Sequence, residues 1–372
     1  MQVTVATLRQ ALDLVRPAVS RKTTLPVMIN VRLGDGQVVG GDLESAIVAD
    51  LPEASETFLM PLEAVTQLLK YVRGMERLTL KVKRGKLNIA WSDGEATYST
   101  TKPDEYPPLP KLVETASADL AGDALIPALK SVLPYTSPEV SRPVLQGVAL
   151  VFSEEDIRVA AGDGYRMAYQ VLPLSFPVGQ TIVIPANGVN LILHLWAKTP
   201  RTPPTSDALV PMLTAKKMVR VALLEENLLK VGFGNASLIT KLVQGNPPDF
   251  VKLIPTTAPA LLARVLAPEF DRAVRRVKDV ARSSKDIVRL EFADSRMTVS
   301  AKGEDGEVKA TVDLVTSEGE PNRIALSANY LIGYLSDKES IVTISLTSVS
   351  APLLLEHRAS PQVLIMPMQT QW

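Results

Sequence analysis

Between Val144 and Phe152 apolar side chains fill both phases of a two-residue alternation, with Val144, Gln146, Val148, Leu150 and Phe152 in one and Leu145, Gly147, Ala149 and Val151 in the other. Such a run predicts a strand covered on both faces. Residues 153–156 read as a turn, 157–161 as a second strand, and Gly162-Asp163-Gly164 as a tight bend before 165–172 resumes as strand. Elsewhere the period lengthens. In 7–19, Leu8, Ala11, Leu12 and Val15 recur at i, i+3, i+4 and i+7 with Arg9, Asp13 and Arg16 on the other face, which predicts an amphipathic helix. The clearest division of faces is in 268–282, where Phe270, Val274, Val277 and Ala281 form one stripe and Arg272, Arg275, Arg276 and Arg282 lie opposite, with Asp279 among them. Further helices are expected within 58–74, 121–133, 183–196 and 325–337.

The pattern repeats. Leu25-Pro26-Val27 is answered by Arg142-Pro143-Val144, and Gly41-Asp42 by Gly162-Asp163, at separations of 117 and 121 residues. Solenoid repeats run to roughly 20–50 residues, so a period this long makes each copy a domain. The helix segment PLEAVTQLL, beginning at Pro61, is matched by PANGVNLIL from Pro185 and by a third version within 325–337. The expected fold is therefore α+β, with three repeated domains over 1–117, 118–255 and 256–372, each carrying two helices on antiparallel sheets. The proline-rich stretch 197–214 has no counterpart in the first copy and reads as a surface excursion.

Composition narrows the chemistry. The 372 residues carry 40 basic and 40 acidic side chains, so net charge selects no partner and the placement of charge must decide. The absence of cysteine excludes disulfides, thiol catalysis and cysteine zinc sites, and is compatible with a reducing cytosol. The first ten residues have no apolar run like a signal sequence, and no window reaches the roughly 18 apolar residues of a membrane span. A soluble, cytoplasmic protein is expected.

Taken together, TLPVMINVRL, GDLESAIVADLP, RPVLQGVALVF, GDGYRMA, KLVQGNPPDFVKLIP and the terminal IMPM resemble the bacterial sliding clamp family, the beta subunit of DNA polymerase III. The similarity runs through the whole chain in order. It implies three topologically equal domains, a head-to-tail homodimer closed into a ring around double-stranded DNA, helices lining the hole, and a processivity factor without catalytic activity or cofactor.

Sliding requires attraction to phosphates that is independent of sequence, and Lys and Arg on the helix faces supply it. The candidates are Arg9, Arg16, Lys70, Arg73, Lys130, Lys198, Arg272, Arg275, Arg276, Arg282 and Lys338; each has an alternative reading as part of a solvated helix face. Arg21 and Lys22 match a family loop that touches DNA, and Arg142 sits near the equivalent loop of the second copy. The resemblance also implies a groove that accepts short linear motifs of replicative polymerase, clamp loader and repair proteins. Carried over position by position, it is built from Leu145, Gly162, Gly164, Tyr165, Arg166, Met167, Pro248, Lys252, Leu253, Leu364, Met366, Pro367 and Met368. Leucine and methionine give such a groove an adaptable apolar lining. Tyr165 stands where the family often has histidine and Lys252 where arginine is common, and the chain continues past Met368 to Trp372, whose indole could partly cover the groove.

An enzyme is the first alternative, and its equipment is thin. His194 and His357 are the only histidines, Asp42 and Asp163 recur beside glycine as a shared turn rather than an acid–base pair, and no phosphate loop or metal-ligand cluster is present. A monomeric DNA-binding relative that does not close a ring is the second, and the sequence leaves it open.

Overall fold

A computed structural model describes residues 1–20, 25–199, 217–304, 306–358 and 360–370. The basic loop Arg21-Lys22, most of the proline-rich stretch and Trp372 lie outside the described residues.

The amphipathic segments fold as helices, each stopped by local chemistry. Helix α1 (Val5–Val15) is capped by Thr4, whose hydroxyl accepts from Thr7 N at 3.1 Å, and it buries Val5, Leu8, Ala11, Leu12, Leu14 and Val15. The periodicity suggested a helix running to residue 19. Pro17 ends it earlier, because proline offers no N–H to the preceding turn, and Arg16–Ala18 tightens into a 3₁₀ turn. Helices α2 (Leu62–Leu69), α3 (Gly122–Val132), α4 (Ala186–Lys198), α5 (Ala267–Ala281) and α6 (Ala328–Leu335) follow. Pro268 sits in the first turn of α5, where a missing N–H costs nothing. The expected strand at 144–152 starts late: Pro143–Leu145 is a 3₁₀ turn, closed by Leu145 N donating to Arg142 O at 3.0 Å, and the strand is Gly147–Phe152. The first copy does the same at Pro26–Ile29, with Met28 N donating to Leu25 O at 3.0 Å.

Contacts divide the chain into two compact units, the first of Met1–Pro127, Val151–Ile157 and Pro173–Gln244, the second of Ala128–Leu150, Arg158–Leu172 and Gly245–Trp372. In the first unit, strands Gln2–Thr4, Arg77–Lys83, Lys86–Trp91 and Gly94–Ser99 form a four-stranded antiparallel sheet in that order. Its second sheet has eight antiparallel strands and is joined through Ser45–Asp50 and Ala236–Lys241, so strands from 1–117 and 118–255 share one sheet.

In the second unit, Gly306–Asp313, Arg296–Gly303, Ile287–Ala293 and Asn322–Ser327 form another four-stranded antiparallel sheet. A longer run passes from Arg166–Leu172 to Gln362–Ile365, Leu353–Glu356, Ile341–Leu346 and Leu261–Leu266, again antiparallel. Here α5 sets Phe270, Ala273, Val274, Val277 and Ala281 into the core, among side chains such as Leu290, Phe292 and Val299 of the four-stranded sheet. Among the described residues no helix is long and apolar enough to cross a membrane.

Candidate functional site

The bend at Gly162-Asp163-Gly164 organises the first site. The Asp163 carboxylate folds back on the chain: Oδ1 accepts from Tyr165 N and Arg166 N, each at 2.9 Å, and Oδ2 accepts from Arg166 Nε at 3.0 Å. This is an aspartate-capped turn, as the sequence predicted, and it leaves the carboxylate no free role in chemistry. Gly164 has φ +94°, the left-handed region, and a Cβ there would meet Arg142 Nη1 at 2.6 Å. Gly162 lies close to its neighbours, since a Cβ would stand 3.2 Å from both the Met167 side chain and the Phe250 ring.

From the bend the chain enters strand Arg166–Leu172, which pairs with the C-terminal strand Gln362–Ile365 so that Met167 faces Leu364; Met366 N then donates to Tyr165 O at 2.8 Å. The 3₁₀ turns Pro143–Leu145 and Phe250–Leu253 bring in Leu145, Phe250 and Leu253. Together they enclose a cavity of about 340 Å³ lined by Leu145, Gly162, Gly164, Tyr165, Arg166, Met167, Pro248, Phe250, Leu253, Pro352, Leu364 and Met366. Its floor is buried, while Tyr165, Leu253 and Met366 are exposed at 58%, 52% and 44%. Large apolar groups so exposed around a cavity are a docking feature rather than core.

Ten of the thirteen residues inferred from the sequence line this cavity. Lys252, Pro367 and Met368 do not: Lys252 is ion-paired to Asp249 at 3.1 Å with its side chain 82% exposed, and Met368 N donates to Ala325 O at 2.8 Å. Phe250 and Pro352 also line it and were not foreseen. The aromatic in PPDF, next to a proline already chosen, was a usable signal for Phe250; Pro352 comes from a distant loop and offered none.

The charges around the cavity are internally satisfied. Arg166 lies over the rings of Tyr135 and Tyr330, 5.0 and 4.6 Å from their centroids, and donates to Pro134 O at 2.9 Å. Burial pushes the Tyr135 phenol up to about 12, with the Arg166 guanidinium pulling weakly the other way. Burial also raises the Tyr330 phenol, with Asp163 adding to it. Arg142 pairs with Glu139 at 2.6 Å, and that hydrogen bond raises its pKa. The mouth is left apolar and effectively uncharged.

The second set of candidates lies on helices. On α5, Arg272, Arg275 and Arg276 are exposed opposite the buried stripe, and with Pro268, Asp271, Leu335, Asp337 and Lys338 they line a groove. Two of the helix's cations are partly neutralised, Arg275 by Asp271 at 2.7 Å and Arg282, just past the helix end, by Asp279 at 3.6 Å. Arg272 and Arg276 are exposed and have no ion pair among the described residues. Lys338 is half-buried over the Tyr334 ring at 4.3 Å, and burial lowers its pKa.

In the first unit, Arg9 is turned inward, donating to Leu69 O, and so ties α1 to the end of α2. Arg16 pairs with Glu63 at 3.2 Å, Lys70 donates to Gln67 at 2.9 Å, and Arg73 is exposed. Lys130 and Lys198 are exposed on α3 and at the end of α4. His194 is held against the chain, its Nε2 3.0 Å from Asp13 O.

Residues 251–369 match the family described as DNA polymerase III beta subunit, C-terminal domain. Over 344 residues the chain is 27% identical to the beta sliding clamp homolog GriR of Streptomyces muensis, covering 90% of this chain and 86% of that one. It is 25% identical over 379 residues to the beta sliding clamp of Staphylococcus aureus, covering 95% and 94%. Among solved structures it resembles the sliding clamp of Bacillus subtilis, with a TM-score of 0.87, 20% identity and coverage of 100% and 99%. The Pseudomonas aeruginosa sliding clamp bound to griselimycin is similar at a TM-score of 0.86, 20% identity and the same coverage.

Proposed function

We propose that this chain, which belongs to the bacterial DNA polymerase III beta-subunit family of sliding clamps, acts as a sliding clamp: two copies close head to tail into a ring around duplex DNA and tether other replication proteins to it. The observation that carries the reading is one programme of strands and two helices repeated three times along a chain that aligns with solved clamps from end to end. The three repeats correspond to domains over 1–117, 118–255 and 256–372. The family is one of processivity factors rather than enzymes, and the role needs topology and weak attraction, not a chemical step. Its place of work would be the cytoplasm, on the chromosome.

In this reading Arg272 and Arg276, joined by Arg73, Lys130 and Lys198, meet phosphates through screened contacts that release counterions and do not read bases. The cavity beneath Gly162 takes the leucine and phenylalanine-like anchors of a partner's linear motif. Burying one such side chain contributes about 1.5–3 kcal/mol, so two anchors account for most of a short peptide's affinity.

The test is topological. The assembled protein is expected to stay on circular DNA and to leave when that DNA is cut, because enclosure rather than affinity retains it. Equal retention on both forms, or a single-chain mass at micromolar concentration, would sink the ring reading. The pocket is tested apart from the ring: Met366→Ala should weaken binding of a peptide with leucine and phenylalanine anchors while the melting temperature stays put.

A further inference from the structure

The first copy of the bend reproduces the backbone hydrogen bonds of the second. Asp42 Oδ1 accepts from Glu44 N at 2.8 Å and Ser45 N at 2.7 Å, as Asp163 does from Tyr165 and Arg166. Asp42 N donates to Ser45 O at 2.8 Å, matching Asp163 N to Arg166 O at 3.1 Å. Strand Ser45–Asp50 pairs with Ala236–Lys241 so that Ala46 faces Ile239, just as Met167 faces Leu364. Lys241 N donates to Glu44 O at 2.9 Å, the counterpart of Met366 N to Tyr165 O at 2.8 Å. Met28 is therefore equivalent to Leu145, Glu44 to Tyr165, Ile239 to Leu364 and Lys241 to Met366.

A cavity of about 260 Å³ lies beneath this bend as well, with Met28, Val39, Tyr106, Leu228 and Ile239 in its lining. Leu109 packs against the same apolar cluster, so the chain covers part of the floor itself. The mouth differs in kind. Asp42, Glu44 and Glu226 supply three carboxylates against the single cation of Lys241. Lys241 is held by Glu44 at 3.3 Å, with the two side chains 52% and 67% exposed, and a pair this open is worth little and is readily exchanged.

We infer that the cavity beneath Gly41-Asp42 is a second peptide site, taking a segment of a partner protein in which one apolar side chain is flanked by lysine or arginine. The apolar side chain enters toward Met28 and Ile239, and the flanking cation meets Glu44 and Glu226. The two cavities thus sort partners by charge: neutral, apolar anchors at the second bend and basic ones at the first. The inference goes beyond the clamp reading and does not depend on which partner uses the other cavity.

The test uses the full chain labelled with ¹³C at its methionine methyls, with Met28 reporting on one cavity and Met366 on the other. Two synthetic peptides are titrated, each with a pair of leucines, one flanked by lysines and one by glutamates. The lysine peptide is expected to shift Met28 and to bind there about five-fold more tightly than the glutamate peptide, the scale of two exposed charge contacts. Glu44→Gln with Glu226→Gln should erase that preference; both side chains are exposed, so the fold is not at risk. A Met28 signal unmoved by the lysine peptide, equal binding of both peptides, or a preference that survives the double substitution would each overturn the inference. Met366 is read in the same spectra, so failure at the first bend is distinguishable from failure of the pocket reading at the second.

Discussion

At the Gly41-Asp42 bend a glutamate and a lysine face each other across 3.3 Å, whereas at the Gly162-Asp163 bend the equivalent positions hold Tyr165 and Met366. The backbone, the aspartate-capped turn and the cross-strand register are shared. What differs is the side chains that point away from the sheet. A repeated fold can therefore keep a cavity for structural reasons while its mouth drifts toward another ligand chemistry, because rim side chains contribute little to stability and much to binding.

The comparison can be strained most strongly with alkali. Each bend has a buried phenol near it, and burial pushes Tyr106 and Tyr135 both up to about 12. A folded-state pKa above the unfolded one gives stability that is complete below pH 10 and is lost as pH rises through 12. The expected loss is about 2–3 kcal/mol for each phenol. Denaturant melts from pH 8 to 12, run beside absorbance titration of Tyr106→Phe and Tyr135→Phe, check it. A flat profile up to pH 12 would show that neither phenol is held protonated by the fold.

Next in size is the spacing under each glycine. A Cβ on Gly41 would stand 2.5 Å from Ser45 O and 2.8 Å from Ala46 Cα, whereas the closest approach at Gly162 is 3.2 Å. Gly41→Ala should therefore cost about 2–3 kcal/mol and Gly162→Ala under about 1 kcal/mol. Gly162→Ala should instead show its effect on peptide binding, since the new methyl faces Phe250 in the cavity lining. Urea melts and a peptide titration on the two variants separate these outcomes.

The aspartates differ by less. Both hold two backbone N–H groups, but Asp163 also pairs with Arg166, whose side chain is only 18% exposed. Asp163→Ala should cost about 2 kcal/mol and Asp42→Ala about 1 kcal/mol, because only the former also takes the carboxylate partner from a largely buried guanidinium. Smallest is Lys241→Met, which gives the first mouth the residue of the second. Its effect on stability should lie within about 0.5 kcal/mol, as expected for loss of an exposed ion pair. It should also strengthen binding of lysine-flanked peptides at Met28, by freeing Glu44.

Much of the second cavity was legible before any coordinates. Ten of its lining residues were named through the resemblance to the sliding clamp family; most sit on the bend or beside the two paired strands, while Leu145, Pro248 and Leu253 lie on flanking turns and loop. Phe250 and Pro352 enter from loops whose approach is set by tertiary packing. Arg9 and Lys338 read as free cations on helix faces; the fold turns one to a backbone carbonyl and lays the other over an aromatic ring, since a long side chain chooses partners the helical period does not encode.

The period near 120 residues, the alternation of strands, the helix stripes and the paired Gly-Asp bends were written in the chain alone, because each depends on neighbours within a few positions. Which strands lie side by side was not. Ser45 meets Thr240 and Met167 meets Leu364, each pair separated by almost two hundred residues. Only that long-range pairing lets two bends enclose cavities, and only the packed side chains around them decide that one mouth is charged and the other apolar.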